Sequence, residues 1–498
     1  MGRVGAGIAL GFGIALAGVS SSLAARGQGQ LTVDVADLDT SKANRIILEN
    51  MLDRGGVVTL PAGTIYLDRA LALKPEHSGV TIAGAGPQSI LRNVHDTVSF
   101  WTSPTIVAQG GGLGYADEMT HDDERRVTIE DGADLRPYDS GTLVYGFRWD
   151  GYTNADRAGM LATRRRIVRQ VGVRSFLLDG PIDPRCNKLK WLDAAPIRGP
   201  AEGDSAVTLE NGDDLARFPP GAPVFISDGP TLANEARGEF RRVAAVDPAT
   251  RTVRLDRPLR SSYAAASALV RVKPVQNVTL RDFTVGRPRH PRAVASCFKF
   301  CTDWRMERVH PEWVFTIGGS SKFTLKDCEA KEAIEFNTCH DMQIEGGRYR
   351  SLYLEEGCAD VSAVDCLLGP AQINGVMSVV GCERVRLSRV RIFGSANMPI
   401  SLMGRENVLE SVTVAESKQP SVNCYICGRR TRTTDLKSDV PVVFTDGLEQ
   451  RVESVTAPTV FLGWVDKTRS GGVARGLQTP SVQVKTPDWK VEPLNPGQ

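Results

Sequence analysis

Six polar residues recur at nearly regular intervals in the middle of the chain: Lys299, Thr316, Glu335, Tyr353, Ser378 and Ser401. Each stands in a short alternating run such as Phe298-Lys299-Phe300, Phe315-Thr316-Ile317 or Ile334-Glu335-Phe336. An apolar-polar-apolar run reads as a short strand whose middle side chain faces water. Stacked in register, the six form an outward ladder that holds a cation, a carboxylate and a phenol. Such a ridge suits an acidic or neutral polysaccharide, with Tyr353 stacking on a sugar ring and Lys299 meeting a uronate. The Tyr353 run has one residue of slack, so Leu354 also fits that rung. Glu335 and Glu355, with Glu332, Glu356 and Asp360, supply carboxylates for an acid–base pair or for Ca2+, the one cofactor this set would suit. Lys299, Glu335 and Glu355 are the expected catalytic residues, and Thr316, Tyr353 and Ser378 the expected substrate-binding ones. The same side chains would also make a plain solvated ladder. His310 and His340 read as hydrogen-bonding corner residues.

What must position this ladder is a repeat. Segments beginning at Trp304, Phe323, Met342, Val361, Val385 and Val408 start 19, 19, 19, 24 and 23 residues apart. Three residues before each start come Cys301, Ser320, Cys339, Cys358, Cys382 and Arg405. A period near twenty residues, with small or apolar types in register, signals stacked repeats. Short alternating runs in place of helix-length patterns predict an all-β fold, a right-handed parallel β-helix of two or three strands per coil. Most of the ten cysteines fall on repeat positions, which predicts stacked buried thiols. Neighbouring coils lie about 4.8 Å apart, so a Cys339–Cys358 bridge stays open, as does a local Cys424–Cys427 bridge.

Before the repeat, Ala43, Ile46, Ile47, Met51 and Leu52 predict an amphipathic helix, capped by Asp39, Thr40 or Ser41. Gly55-Gly56 ends it, and Val57-Val58-Thr59-Leu60-Pro61-Ala62-Gly63-Thr64-Ile65-Tyr66 follows as strand, corner and strand. A helix there would cover the open end of the solenoid. This opening resembles that of pectate-lyase-like β-helix proteins, among them polysaccharide lyases, rhamnogalacturonase-like enzymes and phage tail spikes. The resemblance implies polysaccharide cleavage of one of two kinds. In lyase chemistry a basic side chain removes a proton beside a uronate carboxylate neutralised by Ca2+ or by Arg/Lys; in hydrolysis paired Asp/Glu act as acid and base. Under the first, the base is Lys299 or an arginine of Arg287-Pro288-Arg289-His290-Pro291-Arg292, with Arg289 also a substrate-binding candidate. The paired-Asp and Gly-His-Gly signature of polygalacturonases is absent, which argues against pectin hydrolysis.

The rest of the chain bounds these readings. Arg3, an apolar Val4–Val19 and Ser22-Leu23-Ala24 predict an export signal over residues 1–24, hence a secreted or periplasmic protein. An uncleaved anchor is the other reading, for which the run is short and broken by glycine. Balanced charge, 60 basic against 58 acidic residues, and no basic-aromatic patch argue against a nucleic-acid partner. Residues 31–198 read as the cap and early coils, with long loops walling a groove. Residues 199–270 read as an inserted antiparallel β-module, barrel-like in its order and open to a ligand-binding, structural or docking role, through Ala206–Leu209, Pro223–Ile226, Phe240–Val243 and Thr252–Leu255. Coils resume over 271–415, and 416–498 reads as a last coil or two and a poorly ordered tail. Two functions follow: an exported lyase or hydrolase on a polysaccharide, or a non-catalytic glycan-binding or surface protein on the same scaffold.

Overall fold

A computed structural model describes residues 30–493 except 96–103, 111–112, 117–118, 122–124, 130–141, 148–161, 173–174, 185, 187, 228–237, 264–266, 290–293, 356, 372–373, 379–381, 419–422, 446 and 464–469. The export signal expected over residues 1–24 lies outside the described residues. Helix α1, Leu38–Asp53, begins where the Asp37 side chain accepts the Thr40 N–H at 2.8 Å, two residues before the first cap expected. Its buried face is also rotated from the expected one. Leu48, Leu52, Asn44 and Arg45 turn inward, while Ile46 is exposed. Arg45 can be buried because Asp68 holds its guanidinium at 2.6 Å, so polar pairing overrides the apolar spacing.

From Val57 the chain winds as a right-handed parallel β-helix whose thirty strands form one hydrogen-bonded system. Each coil has three short strands, which define sheets A, B and C. One coil runs through Ser296–Lys299 in sheet A and then Cys301–Pro311, which bends at Arg308 from sheet B into sheet C. The next runs through Phe315–Gly318 and Ser321–Lys326. Parallel register holds from coil to coil, as in Phe315↔Ile334 and Ile334↔Leu352. Inward residues stack into one core: Phe298 meets Phe315 edge-on at 5.0 Å, and Trp304 stacks on Phe323 at 5.4 Å.

Sheet B is bracketed by two columns of left-handed residues. Asp303, Lys322, Asp341, Asp360 and Arg384 precede it; Asp282, Arg308, Asp327, Asp365 and Arg389 follow it, all with φ between 48° and 63°. Side chains other than glycine resist this conformation by about 1–2 kcal/mol, Asp less than most. The turn persists because it aims each N–H at the next coil: Asp327 to Glu345 O at 2.9 Å, Arg389 to Glu410 O at 2.9 Å. The side chains then pair across coils, with Arg308 on Asp282, Arg384 on Asp360 and Arg389 on Asp365, each through two hydrogen bonds.

All ten cysteines are buried as reduced thiols, none joined in a disulfide. Those at the corner between sheets A and B use their thiols on main-chain carbonyls, such as Cys339 on Asn337 O at 3.4 Å and Cys358 on Phe336 O at 3.2 Å.

Two expectations about domains change. Of residues 92–198, Ile106–Gln109 lies in sheet A, but strands between Leu113 and Leu192 form a separate seven-stranded antiparallel sheet and not early coils. Alternation alone does not separate the two arrangements. At the other end, the coils continue to Trp489–Glu492, where the sequence suggested a poorly ordered tail. The 199–270 module is antiparallel as expected. Its six strands, from Ala194–Pro196 to Ala268–Arg271, are closed toward a barrel by the Ile197–Leu209 bridge, and its interior is packed with Val207, Phe218, Val224 and Leu269.

Candidate functional site

Sheet A differs chemically from its neighbour. Its outward column runs Cys297, Thr316, Glu335, Tyr353, Met377, Ser401, Tyr425, Val443 and Phe461. Glu335 is its one charged rung among these. The matching column of sheet B begins Arg281, Glu307, Lys326 and Glu345 and continues through Val364, Ser388 and Glu410. This column is largely uncharged, with Cys297, Ser401 and Val443 buried and the other rungs half-buried.

Of the expected ladder, Thr316, Glu335, Tyr353 and Ser401 stand on this column. Ser378 does not. It is buried, its hydroxyl donating to Met403 O at 3.1 Å and accepting Met403 N–H at 2.7 Å, and Met377 takes its rung. Choosing the polar member of Met377-Ser378-Val379 put the register one residue out, which in a strand reverses the face. Lys299 is displaced differently. It stays outward but pairs with Gly318, so it belongs to a second column, Lys299, Gly318, Asn337 and Glu355, two residues along each strand. Cys297 holds the rung next to Thr316.

Other candidates disperse. Arg289 lies on the crossing from sheet C to sheet A, where its N–H donates to Asn93 O at 3.3 Å. Glu332 is paired with Arg350. Asp360 sits at the left-handed corner before sheet B, held by Arg384 and, at 2.8 Å, by Arg260. Glu356 lies outside the described residues. The carboxylates therefore do not gather as their sequence proximity suggested, and among the described residues no group of three or more His, Cys, Asp or Glu side chains is placed to hold a metal ion. Ca2+ does not fit this arrangement.

Glu335 and Glu355 do share the outward face. Glu335 pairs with Tyr353, and Asn337 with Glu355, so the two are one coil across and two residues along. At ~4.8 Å per coil and ~3.3 Å per residue, their Cα atoms are about 8 Å apart. The Glu335 carboxylate is half-buried and accepts the Thr316 hydroxyl at 3.3 Å. Burial pushes its pKa above the ordinary 4.5 and outweighs that hydrogen bond. The Cys297 thiol is pushed up to about 11, mainly by burial, with Lys299 pulling it down and Glu335 pushing it up. Both charges therefore reach the same spot, although they stand on different columns.

The barrel forms one side of this face. It lies along the corner between sheets A and B, where Phe225 packs on Phe300 at 5.4 Å and Arg260 reaches Asp341 at 3.0 Å. Arg405 holds Glu202 at 3.0 Å, and the buried His340 meets Gly238 O through Nε2. Lys299 and Glu355 are the sheet A positions nearest that corner, since their strands run directly into it. His340 is thus a hydrogen-bonding corner residue, as expected. His310 lies on sheet C, 3.8 Å from Glu329.

Gly318 and Asn337 stand two residues after the rungs Thr316 and Glu335, on the second column. The position two residues after each rung was the usable signal.

No protein-family model matches the chain, and no curated protein matches it. Solved structures similar to it include the tailspike gp49 of Pseudomonas phage LKA1, at 12% identity and TM-score 0.45, covering 94% of this chain and 84% of that one. The Gp54 tailspike of Acinetobacter baumannii bacteriophage AP22, in complex with A. baumannii capsular saccharide, aligns at 9% identity and TM-score 0.42 over 93% of this chain and 76% of that one. The catalytic domain of a GH87 α-1,3-glucanase in complex with tetrasaccharides aligns at 11% identity and TM-score 0.31 over 78% and 89%.

Proposed function

We propose that the chain is an extracellular glycan-acting protein that hydrolyses a polysaccharide laid along sheet A. The observation that carries this reading is Glu335: a carboxyl raised by burial, on an otherwise uncharged column, with Glu355 on the same face and its Cα about 8 Å away. A carboxyl whose pKa burial raises keeps its proton more readily than an ordinary one, which suits a general acid. Glu335 would protonate the glycosidic oxygen as the bond from that oxygen to the anomeric carbon breaks. Glu355 would take a proton from the water that forms the new bond from the opposite side. Inversion at the anomeric carbon needs the two carboxyl groups about 6.5–9.5 Å apart, with room for that water, and is the outcome this proposal expects. Tyr353, adjacent to Glu335 on the column, offers a stacking face for the ring, and Thr316 orients the acid. Lys299 and Arg289 remain candidates for contacts with substrate. Export, by the signal expected over residues 1–24, belongs to the same proposal. No helix among the described residues is long and apolar enough to cross a membrane.

The test is turnover of neutral and uronate-containing polysaccharides by wild type and Glu335→Gln, following reducing ends and ultraviolet-absorbing unsaturated products. The expected result is new reducing ends without unsaturation, and a kcat lower by about 10²–10⁴ in the variant. Unsaturated products would replace hydrolysis by elimination, with Lys299 as base. Binding without turnover on the whole panel would leave the glycan-binding reading, which the uncharged column also supports.

A further inference from the structure

The second column of sheet A is interrupted at Gly318. This glycine pairs with Lys299 in the coil before and Asn337 in the coil after. A Cβ placed on it would meet Lys299 Cγ at 3.7 Å, Asn337 O at 3.8 Å and Asn337 Cβ at 3.9 Å, all ordinary contact distances. Its φ is not in the left-handed region, unlike that of Gly319 at +53°. Neither space nor backbone conformation therefore demands glycine here. What the missing side chain does is leave a slot one residue wide. Lys299 and Asn337 are its two walls, Thr316 borders it on the same strand, and Glu335 stands diagonally across.

One wall carries an unmet need. Asn337 is only 7% exposed, and its Oδ1 is buried without a hydrogen-bond partner. Its main-chain carbonyl is used, accepting Gly319 N–H at 2.8 Å and the Cys339 thiol at 3.4 Å. The backbone thus serves the fold while the amide oxygen does not. Leaving such an atom unpaired costs about 1–3 kcal/mol, and unpaired buried groups are exceptional in native proteins. An apolar side chain of similar size would avoid that cost at this position.

We propose that the slot over Gly318 is a subsite for a hydroxyl of a neutral sugar ring, and that Asn337 is its specificity-determining residue. The terminal torsion of asparagine is broad, so the amide turns to face the slot. A hydroxyl both donates and accepts, which matches either end of an amide. A neutral hydroxyl needs no counter-charge beside an uncharged amide, so the slot suits a neutral ring. This inference rests on the reading of sheet A as a glycan site and adds to it the residue that reads the sugar.

The experiment measures binding without turnover, in the Glu335→Gln background, by affinity electrophoresis through dextran, mannan, galactan and β-glucan gels. The polymer that most retards this parent is then used with Asn337→Leu and Gly318→Val added singly. Asn337→Leu is expected to melt at or above the parent temperature while binding about 5- to 100-fold more weakly, the loss of one buried hydrogen bond. Gly318→Val, which fills the slot and removes no polar group, is expected to weaken binding comparably. A merely structural Asn337 would give the reverse pattern, a lower melting temperature with binding intact, and would overturn the inference. Should Asn337→Leu fail to fold, Gly318→Val decides: retained binding refutes the slot. A parent that binds none of the four polymers overturns this inference together with the glycan reading. Unchanged binding in both added variants overturns the subsite alone.

Discussion

Acid should loosen the barrel from the solenoid, and one buried imidazole sets the size of the effect. His340 is 6% exposed at the contact between them, with Nε2 on Gly238 O and Nδ1 buried without a partner. Burial lowers its pKa from 6.5 to about 4; Arg260 and Arg241 push it further down, against the Gly238 carbonyl and Asp341. Above pH 6.5 the imidazole is neutral whether or not the contact is intact. As pH falls below that, the released imidazole takes a proton that the packed one refuses, so the contact weakens until about pH 4 and changes little beyond. At about 1.4 kcal/mol per tenfold change in proton affinity, the loss reaches about 3 kcal/mol. Asp360 and Glu312 are held below their ordinary values by Arg384 and Lys331 among others. Their contribution is present above the ordinary carboxylate range and disappears only as pH falls through it, at the acid edge of this window. Glu335, whose pKa is raised, titrates with the opposite sign, so the comparison must be made between proteins at matched pH. Native-state hydrogen exchange of the barrel strand Gly238–Asp247 provides the assay. Relative to His340→Gln, wild-type protection should fall about 100-fold between pH 7 and pH 4. Parallel pH profiles for the two proteins would refute the assignment to His340.

Two further outcomes follow from buried groups. Glu239 is fully buried, accepts Tyr263 O–H at 2.7 Å and Arg260 N–H at 3.0 Å, and pairs with the buried Arg241. Glu239→Gln strands that guanidinium and should destabilise the barrel by about 3–5 kcal/mol in denaturant titration, with much of the loss recovered by adding Arg241→Met. The thiols of Cys301, Cys328, Cys358 and Cys424 are buried, and burial raises the pKa of each. Iodoacetamide at pH 8 should leave them unmodified in the native protein and alkylate all of them in denaturant, as read by peptide mass.

The fold was legible because packing imposes a rule on every coil. Phe323, Met342 and Val361 recur at a strict 19 residues, and each fills the same place in the core. The left-handed columns escaped notice because they accept Asp303, Lys322 and Arg384 alike; what is repeated there is a backbone angle enforced by hydrogen bonds. The outward column of sheet A was legible only where coil length stays constant. Thr316 to Glu335 is one full period, and both were placed correctly. After Tyr353 the crossing between coils lengthens, so Ser378 was assigned outward where the pleat puts Met377. The antiparallel sheet at 113–192 was hidden for another reason: its strands alternate like coil strands, and their partners are set by tertiary pairing.

Both added modules leave and rejoin the solenoid at one corner. Sheet A ends at Gly110, whose N–H donates to Lys299 O at 3.0 Å, and the winding resumes at Val275, whose N–H meets Phe300 O at 3.2 Å. One coil later the same corner is turned by Phe300 alone. For the solenoid, residues 111–274 are therefore a single turn written at great length. A change of length inside that graft would add no residue to any strand of sheet A, whereas it would act on the contacts that the barrel makes at His340 and Arg405. The chemistry of the floor and the shape of its wall are thus free to evolve on separate stretches of one chain.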